Sequence, residues 1–160
     1  LVFKQLFFYY KFNLFYDLFP WYGTKACKKK SLVSMSWLRN IKNKKYPFWR
    51  LDTYFSKLKL RNVEIINDGG WHFTNIKTPE QIFEKLNNYG HHNEFEDSGI
   101  TFKELKRIIE NRIVNYNHFS DKSKLDRSNY EYKLKVLDNK YLPKYLIENK
   151  NLYKDWFEIN

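Results

Sequence analysis

The amino-acid sequence predicts an α/β fold. Predicted helices and strands alternate along 160 residues, a length that suits one ordinary domain or part of a larger one. Apolar residues make up 42% of the chain and aromatic residues 20%, which is enough for a packed core. Two helices carry clear start signals, and no repeat or low-complexity linker interrupts the alternation. We therefore expect a folded protein of mixed helix and strand.

The first half of the chain is predicted to open with a helix. Apolar residues recur at helical spacing from about Phe3 to Tyr16, and Pro20 ends the pattern. β-branched and aromatic runs predict short strands at 21–27, 63–66 and 71–73, the last two joined by a double-glycine turn. Shorter helical segments are expected at 32–40 and 54–60.

The second half contains the two clearest helices. Thr78 followed by Pro79 and by Gln81 three residues after the cap forms a capping box, and Gly90 closes that helix. Thr101 repeats the start signal before a second apolar face. A strand is predicted at 130–136 and a helical region from 142 onward.

Charge and cysteine content narrow the classes of function. Cys27 is the only cysteine, so neither a disulfide within the chain nor a cysteine zinc site can form. No uncharged run approaches the ~20 residues of a membrane-spanning helix. The net charge of +11 favours anionic partners. Apart from Lys28–Lys30 and Lys42–Lys45, the lysines are nevertheless spread along the chain, and no RNA-binding signature occurs. A solvated basic surface is favoured, and a basic groove for a nucleotide diphosphate is the second interpretation.

The stretch from Asp68 to Phe73 is the most informative local feature. Glycines such as Gly69 and Gly70 are usually retained where the backbone needs a positive φ or a close approach. The side chains of Trp71 and His72 follow directly. An indole beside an imidazole suits contact with a sugar and with a metal or a diphosphate.

Several motifs together resemble glycosyltransferase family 17, which includes β-1,4-mannosyl-glycoprotein N-acetylglucosaminyltransferases. The resemblance covers most of the chain and is most specific at the Gly-Gly-Trp-His-Phe run. The segments that carry it are 9–14, 21–24, 68–74, 78–80, 85–86, 92–95 and 142–146.

This resemblance implies a GT-A-like domain, a mixed sheet flanked by helices, that transfers a sugar with inversion. The implied donor is a nucleotide sugar, which the family resemblance suggests is UDP-N-acetylglucosamine. The implied acceptor is a hydroxyl of an N-glycan or other polysaccharide. The family's metal-binding acids lie upstream, and no Asp-x-Asp occurs in these 160 residues. Residues 1–160 are thus predicted to be the C-terminal part of one catalytic domain, inactive alone, with Mn²⁺ or Mg²⁺ held mostly by the absent N-terminal half.

The resemblance also suggests roles for individual residues. His72 is predicted as a late metal ligand, and Asp68 or Glu94 as the general base. Substrate contacts are predicted for five residues, namely Gly69, Gly70, Trp71, His92 and Arg50.

Several of these residues can instead have a purely structural role. His72 can satisfy a backbone carbonyl, Trp71 can be a core residue, and Asp68 can be the first residue of a turn. Glu94 can orient the imidazole of His92. Arg50 can pack its stem on an aromatic ring instead of binding a diphosphate.

Two questions stay open at the level of sequence. The alternative function is a basic, aromatic module that binds glycan or nucleic acid without catalysis. The compartment is undetermined: a bacterial or viral enzyme would be cytoplasmic, and an animal-like one would sit in the Golgi membrane.

Overall fold

Helices and strands alternate along the chain, as predicted, with a mixed sheet flanked by helices. A computed structural model describes residues 1–88, 95, 99–115 and 131–159. The chain forms two compact units. The first comprises Leu1–Leu6 and Pro20–His72, and the second comprises Phe7–Phe19 and Phe73–Asn160. No helix in the described part of the chain is long and apolar enough to cross a membrane.

Short elements dominate the structure. The strands are β1 (Val2–Phe3), β2 (Leu6–Tyr9), β3 (Leu14–Phe15), β4 (Ile65–Ile66), β5 (Trp71–Thr74), β6 (Ile113–Val114), β7 (Tyr132–Lys133) and β8 (Lys135–Val136). The α-helices are α1 (Met35–Asn40), α2 (Asp52–Phe55), α3 (Pro79–Asn87), α4 (Phe102–Glu110) and α5 (Lys144–Glu148). Single 3₁₀ segments cover Lys29–Ser31, Asn139–Tyr141 and Lys150–Trp156.

The predicted N-terminal helix is wrong: this segment forms strands. In the first unit β1 pairs in parallel with β4, and Val2 and Gln5 also bridge to the antiparallel segment at Lys25 and Trp21. In β2, the consecutive residues Phe7, Phe8 and Tyr9 are all buried, so both faces of this strand are covered and its sequence is apolar at every position. Such a run satisfies helical spacing by coincidence, so periodicity alone could not separate the two structures.

The other elements predicted for the first unit occur at the expected positions but are shorter than predicted. Residues 21–27 contribute isolated bridges instead of a strand. The helix expected at 54–60 is the single turn α2, and the strand expected at 63–66 is β4. Helix α1 lies within the predicted 32–40 segment. Strand β4 and the bridges at residues 21 and 25 are fixed by pairing with residues 2–5, which local sequence does not encode.

The double glycine does not form a hairpin. Strand β1 continues toward β2, and the opposite strand runs parallel to it: Lys4 N donates to Ile66 O (2.9 Å), and Leu6 N donates to Gly70 O (2.9 Å). One residue separates Lys4 from Leu6, whereas three separate Ile66 from Gly70. The double-glycine segment is therefore a two-residue excess within a parallel ladder, a form of bulge.

The two glycines meet different demands, both anticipated from the sequence. A Cβ on Gly69 would lie 2.7 Å from the Cβ of Phe3 and 2.8 Å from the backbone N of Lys4. Gly70 has a φ of +101°, and a Cβ there would meet nothing closer than 3.8 Å. Gly69 thus permits close backbone approach, and Gly70 permits an unusual backbone conformation.

The first unit has a small apolar core. Val2, Ile41 and Val63 are its buried members, and Trp37 and Tyr22 are among the residues that pack against them. The Lys25 ammonium lies beside this core, where its Nζ donates to the carbonyl oxygens of Arg39 (2.7 Å) and Ile41 (2.5 Å). Burial lowers the pKa of Lys25, and nearby Lys42 adds to that effect.

The second unit contains the antiparallel part of the four-stranded sheet, whose full order is β5-β2-β3-β8. Phe8 pairs with Phe15, and Leu14 pairs with Val136. The turn between β2 and β3 places Tyr10 at a φ of 62°, and its buried hydroxyl donates to Ile113 O (3.1 Å). These aromatic strands form the core of the unit.

Both helix-start predictions in the second unit are confirmed. Thr78 and Gln81 form the reciprocal capping box of α3, and Thr101 caps α4 by accepting from the backbone N of Glu104. The predicted strand at 130–136 appears as β7 and β8, and residue 130 itself lies outside the described part. Gly90, the predicted helix stop, also lies outside it.

We expect Gly69→Ala to destabilise the protein more than Gly70→Ala. A methyl group at position 69 must displace strand backbone, a form of overpacking that costs about 1–3 kcal/mol, whereas Gly70→Ala adds backbone strain without a clash. Urea unfolding at 25 °C measures both free energies. Gly99→Ala is the control, because Gly99 has a φ of +64° and open space around it. Equal costs at Gly69 and Gly99 would contradict the close approach.

Candidate functional site

The imidazole of His72 stacks on the indole of Trp21. The ring centroids are 4.2 Å apart and the planes differ by 12°. The two residues are far apart in sequence but belong to the same unit, and both are half-buried. The stack fixes the plane of the imidazole, which matters because a ring that binds a ligand or moves a proton must be held in one orientation.

Gly23 makes room for this stack. A Cβ built on Gly23 would lie 2.1 Å from Trp21 Nε1 and 2.7 Å from its Cε2, so the indole is folded back over the Gly23 backbone. The backbone of Trp21 is itself fixed, because its N and O exchange hydrogen bonds with Gln5 (3.0 and 2.9 Å). Any side chain at position 23 would force the indole to move.

Gln5 joins the two segments that form the site. Its Nε2 donates to the carbonyl oxygen of Trp71 (3.3 Å), and its Oε1 accepts from the hydroxyl of Thr24 (2.9 Å). The amide thus bridges the backbone after the double glycine and the 21–24 segment. We call the residues so joined the Trp21–His72 cluster: Gln5, Trp21, Gly23, Thr24, Gly70, Trp71 and His72.

Burial lowers the pKa of His72 below its ordinary value of 6.5. Partial removal from water disfavours the charged imidazolium, so the ring is neutral at pH 7. A neutral imidazole can accept a proton or a hydrogen bond, and it is also the form that binds a metal ion. Trp71 has an exposed side chain, with 41% of its surface open to solvent. The neutral imidazole and the accessible indole belong to consecutive residues of β5, so their side chains point to opposite faces of the strand.

The structure brings together some of the predicted site residues. Gly70, Trp71 and His72 lie in the Trp21–His72 cluster, and Gly69 precedes them against the backbone of Lys4. Asp68 is exposed at the start of the same double-glycine segment. Neither His92 nor Glu94 falls within the described residues.

Arg50 is engaged in local interactions. Its Nε lies 2.7 Å from Asp52 Oδ1, and its guanidinium lies over the ring of Tyr46, 5.2 Å from the centroid. This aromatic contact is made by the guanidinium on Tyr46, whereas the sequence suggested packing of the arginine stem. A ligand-binding role for Arg50 stays a prediction.

The described residues do not assemble a metal site by themselves. Among residues 1–88, 95, 99–115 and 131–159 there is no group of three or more His, Cys, Asp or Glu side chains that could hold a metal ion. His72 can offer one ligand, and one imidazole is too few to hold a divalent cation.

A separate cleft of about 500 Å³ lies in the first unit. It is lined by Leu1, Val2, Lys25, Ala26, Cys27, Lys28, Ser31, Trp37, Leu38, Ile41, Leu60, Asn62 and Val63. None of the predicted site residues lines it. The cleft covers the apolar core described above, and its one half-buried ammonium, Lys25, already bonds to carbonyl oxygens.

Sequence reasoning missed four residues of the cluster. Trp21, Gly23 and Thr24 were part of a motif segment but had no assigned role, and Gln5 was placed in a helix. The signal available for the first two was a Gly two residues after a Trp, which permits the indole to fold back. Nothing local in the sequence indicates that Gln5 bridges Thr24 and Trp71, because both contacts depend on strand pairing.

We expect Gly23→Ala to release the Trp21 indole and to raise the pKa of His72 toward 6.5. Without the stacked ring, the imidazole gains water and its charged form is favoured. Titration of the imidazole resonances by NMR measures this pKa. Gly99→Ala, in open space elsewhere, should leave it unchanged. An unaltered His72 pKa in Gly23→Ala would show that the stack does not control desolvation.

We also expect His72 to make the native state less stable as the pH falls below about 6.5. Because its pKa is depressed on folding, the unfolded chain binds a proton in that range that the native state does not, so stability rises with pH up to about 6.5. The free energy of unfolding should depend less on pH in His72→Gln than in the unmodified protein. The other histidines contribute equally to both proteins, and identical pH profiles would contradict the assignment.

Comparison with known proteins gives no match: no protein-family model, no curated protein and no solved structure matches this chain.

Proposed function

We propose that this chain is the C-terminal part of a GT-A-like glycosyltransferase catalytic domain of the family 17 type. It transfers N-acetylglucosamine, with inversion, from a UDP-sugar to a hydroxyl of a glycan or polysaccharide. One observation carries the proposal. Two of the motif segments behind the family resemblance, 21–24 and 68–74, contribute the residues that meet in the Trp21–His72 cluster.

The cluster offers groups suited to a sugar site. The exposed indole of Trp71 provides an apolar face for the C–H face of a sugar ring. The neutral imidazole of His72 is held in plane by Trp21 and can accept a proton or a hydrogen bond. Asp68 places an exposed carboxylate at the start of the same segment. A carboxylate of this kind is the usual base for removing a proton from an attacking hydroxyl.

The transfer chemistry divides among these groups as follows. The acceptor oxygen attacks the anomeric carbon of the donor sugar while the bond from that carbon to the diphosphate breaks. The base, Asp68 or Glu94, takes the proton of the acceptor hydroxyl, and the nucleotide diphosphate leaves with the electron pair. Aromatic faces hold the sugars so that the reacting atoms stay aligned.

A divalent cation belongs to the proposal only as a group held mainly by acids outside these 160 residues. The described residues do not fit a complete cation site, since they bring no three potential ligands together. His72 is the cluster residue that the family resemblance predicts as a ligand, through its imidazole nitrogen. When bound, such a cation would stabilise the charge of the leaving diphosphate.

A second candidate is a module that binds glycan without catalysis. The exposed aromatic side chains of Phe48, Trp49 and Tyr54, with lysines around them, favour this possibility over an inert surface. The two functions differ in turnover: the binding module retains sugar without consuming a nucleotide sugar.

A donor screen on the complete protein tests the proposal. UDP-N-acetylglucosamine, UDP-glucose, UDP-galactose and GDP-mannose are each offered with glycan acceptors, in Mn²⁺, Mg²⁺ or chelator. Consumption of UDP-N-acetylglucosamine with formation of a glycoside is the expected result. Glycan binding with no donor consumed under any condition would support the binding module and overturn the enzyme.

We expect Asp68→Asn or Glu94→Gln to lower turnover by about 10²–10⁴, according to which carboxylate is the base. Glu64→Gln is the matched control, because Glu64 is an exposed acid of the same unit. A variant with normal turnover has not lost the base.

His72→Ala should weaken the dependence of transfer on divalent cation while the protein stays folded. An unchanged metal dependence would remove His72 from the cation site.

A further inference from the structure

The segment 46–61 of the first unit exposes an unusual amount of apolar surface. Phe48 and Trp49 are each 70% exposed, Leu51 is 72% exposed and Phe55 is 90% exposed. Tyr54 lies among them with 60% of its surface open. Isolated apolar residues on a surface are ordinary, but five within eight positions form a patch of the kind that marks an interaction site. We call these five residues the 48–55 patch.

Helix α2 carries its apolar face outward. Leu51, which begins the turn in helical conformation, shares one face with Tyr54 and Phe55 at spacings of three and four. The opposite position is Thr53, which is buried and whose hydroxyl donates to Arg50 O (2.7 Å). The polar residue is inside and the apolar residues are outside, the reverse of a helix that packs on its own core.

Local contacts hold the patch in place. Asp52 pairs with Arg50 (2.7 Å) and with Lys59 (2.6 Å), so one carboxylate ties the two ends of the α2 region together. The indole of Trp37 donates from Nε1 to Lys57 O (2.8 Å). The Phe48 and Trp49 rings meet edge to face at 5.1 Å. The apolar side chains are thus presented by a supported backbone.

Positive charge surrounds the patch. Residues 42–61 contain seven Lys or Arg side chains and one acid, Asp52, which is shared by Arg50 and Lys59. Lys44, Lys45 and Lys57 are exposed. The Arg61 guanidinium lies 4.7 Å from the centroid of the Tyr54 ring, so charge and aromatic surface are in direct contact.

We propose that the 48–55 patch docks this chain on the surface of a bilayer that contains anionic lipid. Trp, Phe and Leu side chains enter the boundary between headgroups and acyl chains, while the surrounding lysines pair with anionic headgroups. Charge complementarity favours this occupant over a neutral protein surface. A nucleic acid would use the positive charge and the rings but would leave Leu51 and the largely exposed Phe55 without an apolar environment.

Sedimentation with phospholipid vesicles tests the docking. The complete protein is mixed with vesicles of phosphatidylcholine alone or with added phosphatidylserine. Binding should require phosphatidylserine and weaken as salt is raised, because the headgroup attraction is screened. Equal binding to both vesicle types, or none to either, would overturn the proposal.

Paired variants separate the apolar and the charged contributions. Trp49→Ala with Phe55→Ala should lower the partition into anionic vesicles by about tenfold or more, since two large apolar side chains no longer enter the interface. Lys44→Ala with Lys57→Ala should lower it by roughly tenfold as well. The matched control is Val33→Ala with Met35→Ala, two residues of the same unit that are 75% and 72% exposed but lie outside the patch. An equal loss in this control would contradict docking through the patch.

Two further measurements distinguish a bilayer from a nucleic acid as the occupant of the patch. Brominated lipid should quench tryptophan fluorescence in the unmodified chain, and Trp49→Phe should remove that quenching while retaining vesicle binding. Quenching that persists in Trp49→Phe would place another region at the membrane and overturn the assignment. Binding to single-stranded DNA that the Trp49→Ala with Phe55→Ala pair abolishes, with no vesicle binding, would assign the patch to nucleic acid instead. Near-ultraviolet circular dichroism confirms that each exposed substitution leaves the fold intact.

Discussion

The close approach of the Gly69 backbone to Lys4 is the constraint on which the first unit depends. It allows two extra residues to enter a parallel ladder between Ile66 and Gly70 without separating the strands. The bulge brings the Trp71 carbonyl within reach of Gln5, whose amide then bonds to Thr24. A side chain at position 69 would meet backbone atoms on the neighbouring strand. The geometry of the Trp21–His72 cluster therefore depends on the absence of a Cβ at Gly69.

A missing side chain also determines the surroundings of the His72 imidazole. Gly23 lacks the side chain that would occupy the position of the Trp21 indole, and the indole in turn covers one face of His72. Coverage removes water from the ring and keeps it neutral near pH 7. Gly23 and Gly69 thus act by letting larger groups approach, whereas Gly70 acts by adopting a positive φ.

The elements that could be predicted from sequence are those decided by local interactions. The capping box at Thr78 and the cap at Thr101 were correct because each is made by a side chain and the backbone three residues away. The N-terminal segment was mispredicted because its apolar run fits two periodicities. Contacts on both sides, to residues near 65 and near 21, select the strand. The same limit applies to the site, where Gln5 and Trp21 acquire roles only through strand pairing.

By itself, the sequence determined an α/β chain, two capped helices and a double-glycine segment followed directly by Trp71 and His72. It also predicted that the glycines serve close approach and positive φ, since those demands are properties of the backbone alone. The tertiary structure decided that the double glycine bulges a parallel ladder instead of closing a hairpin. It decided too that His72 stacks on Trp21 and that α2 turns its apolar face outward. These features depend on residues distant in the chain, and no local pattern records which distant residues will meet.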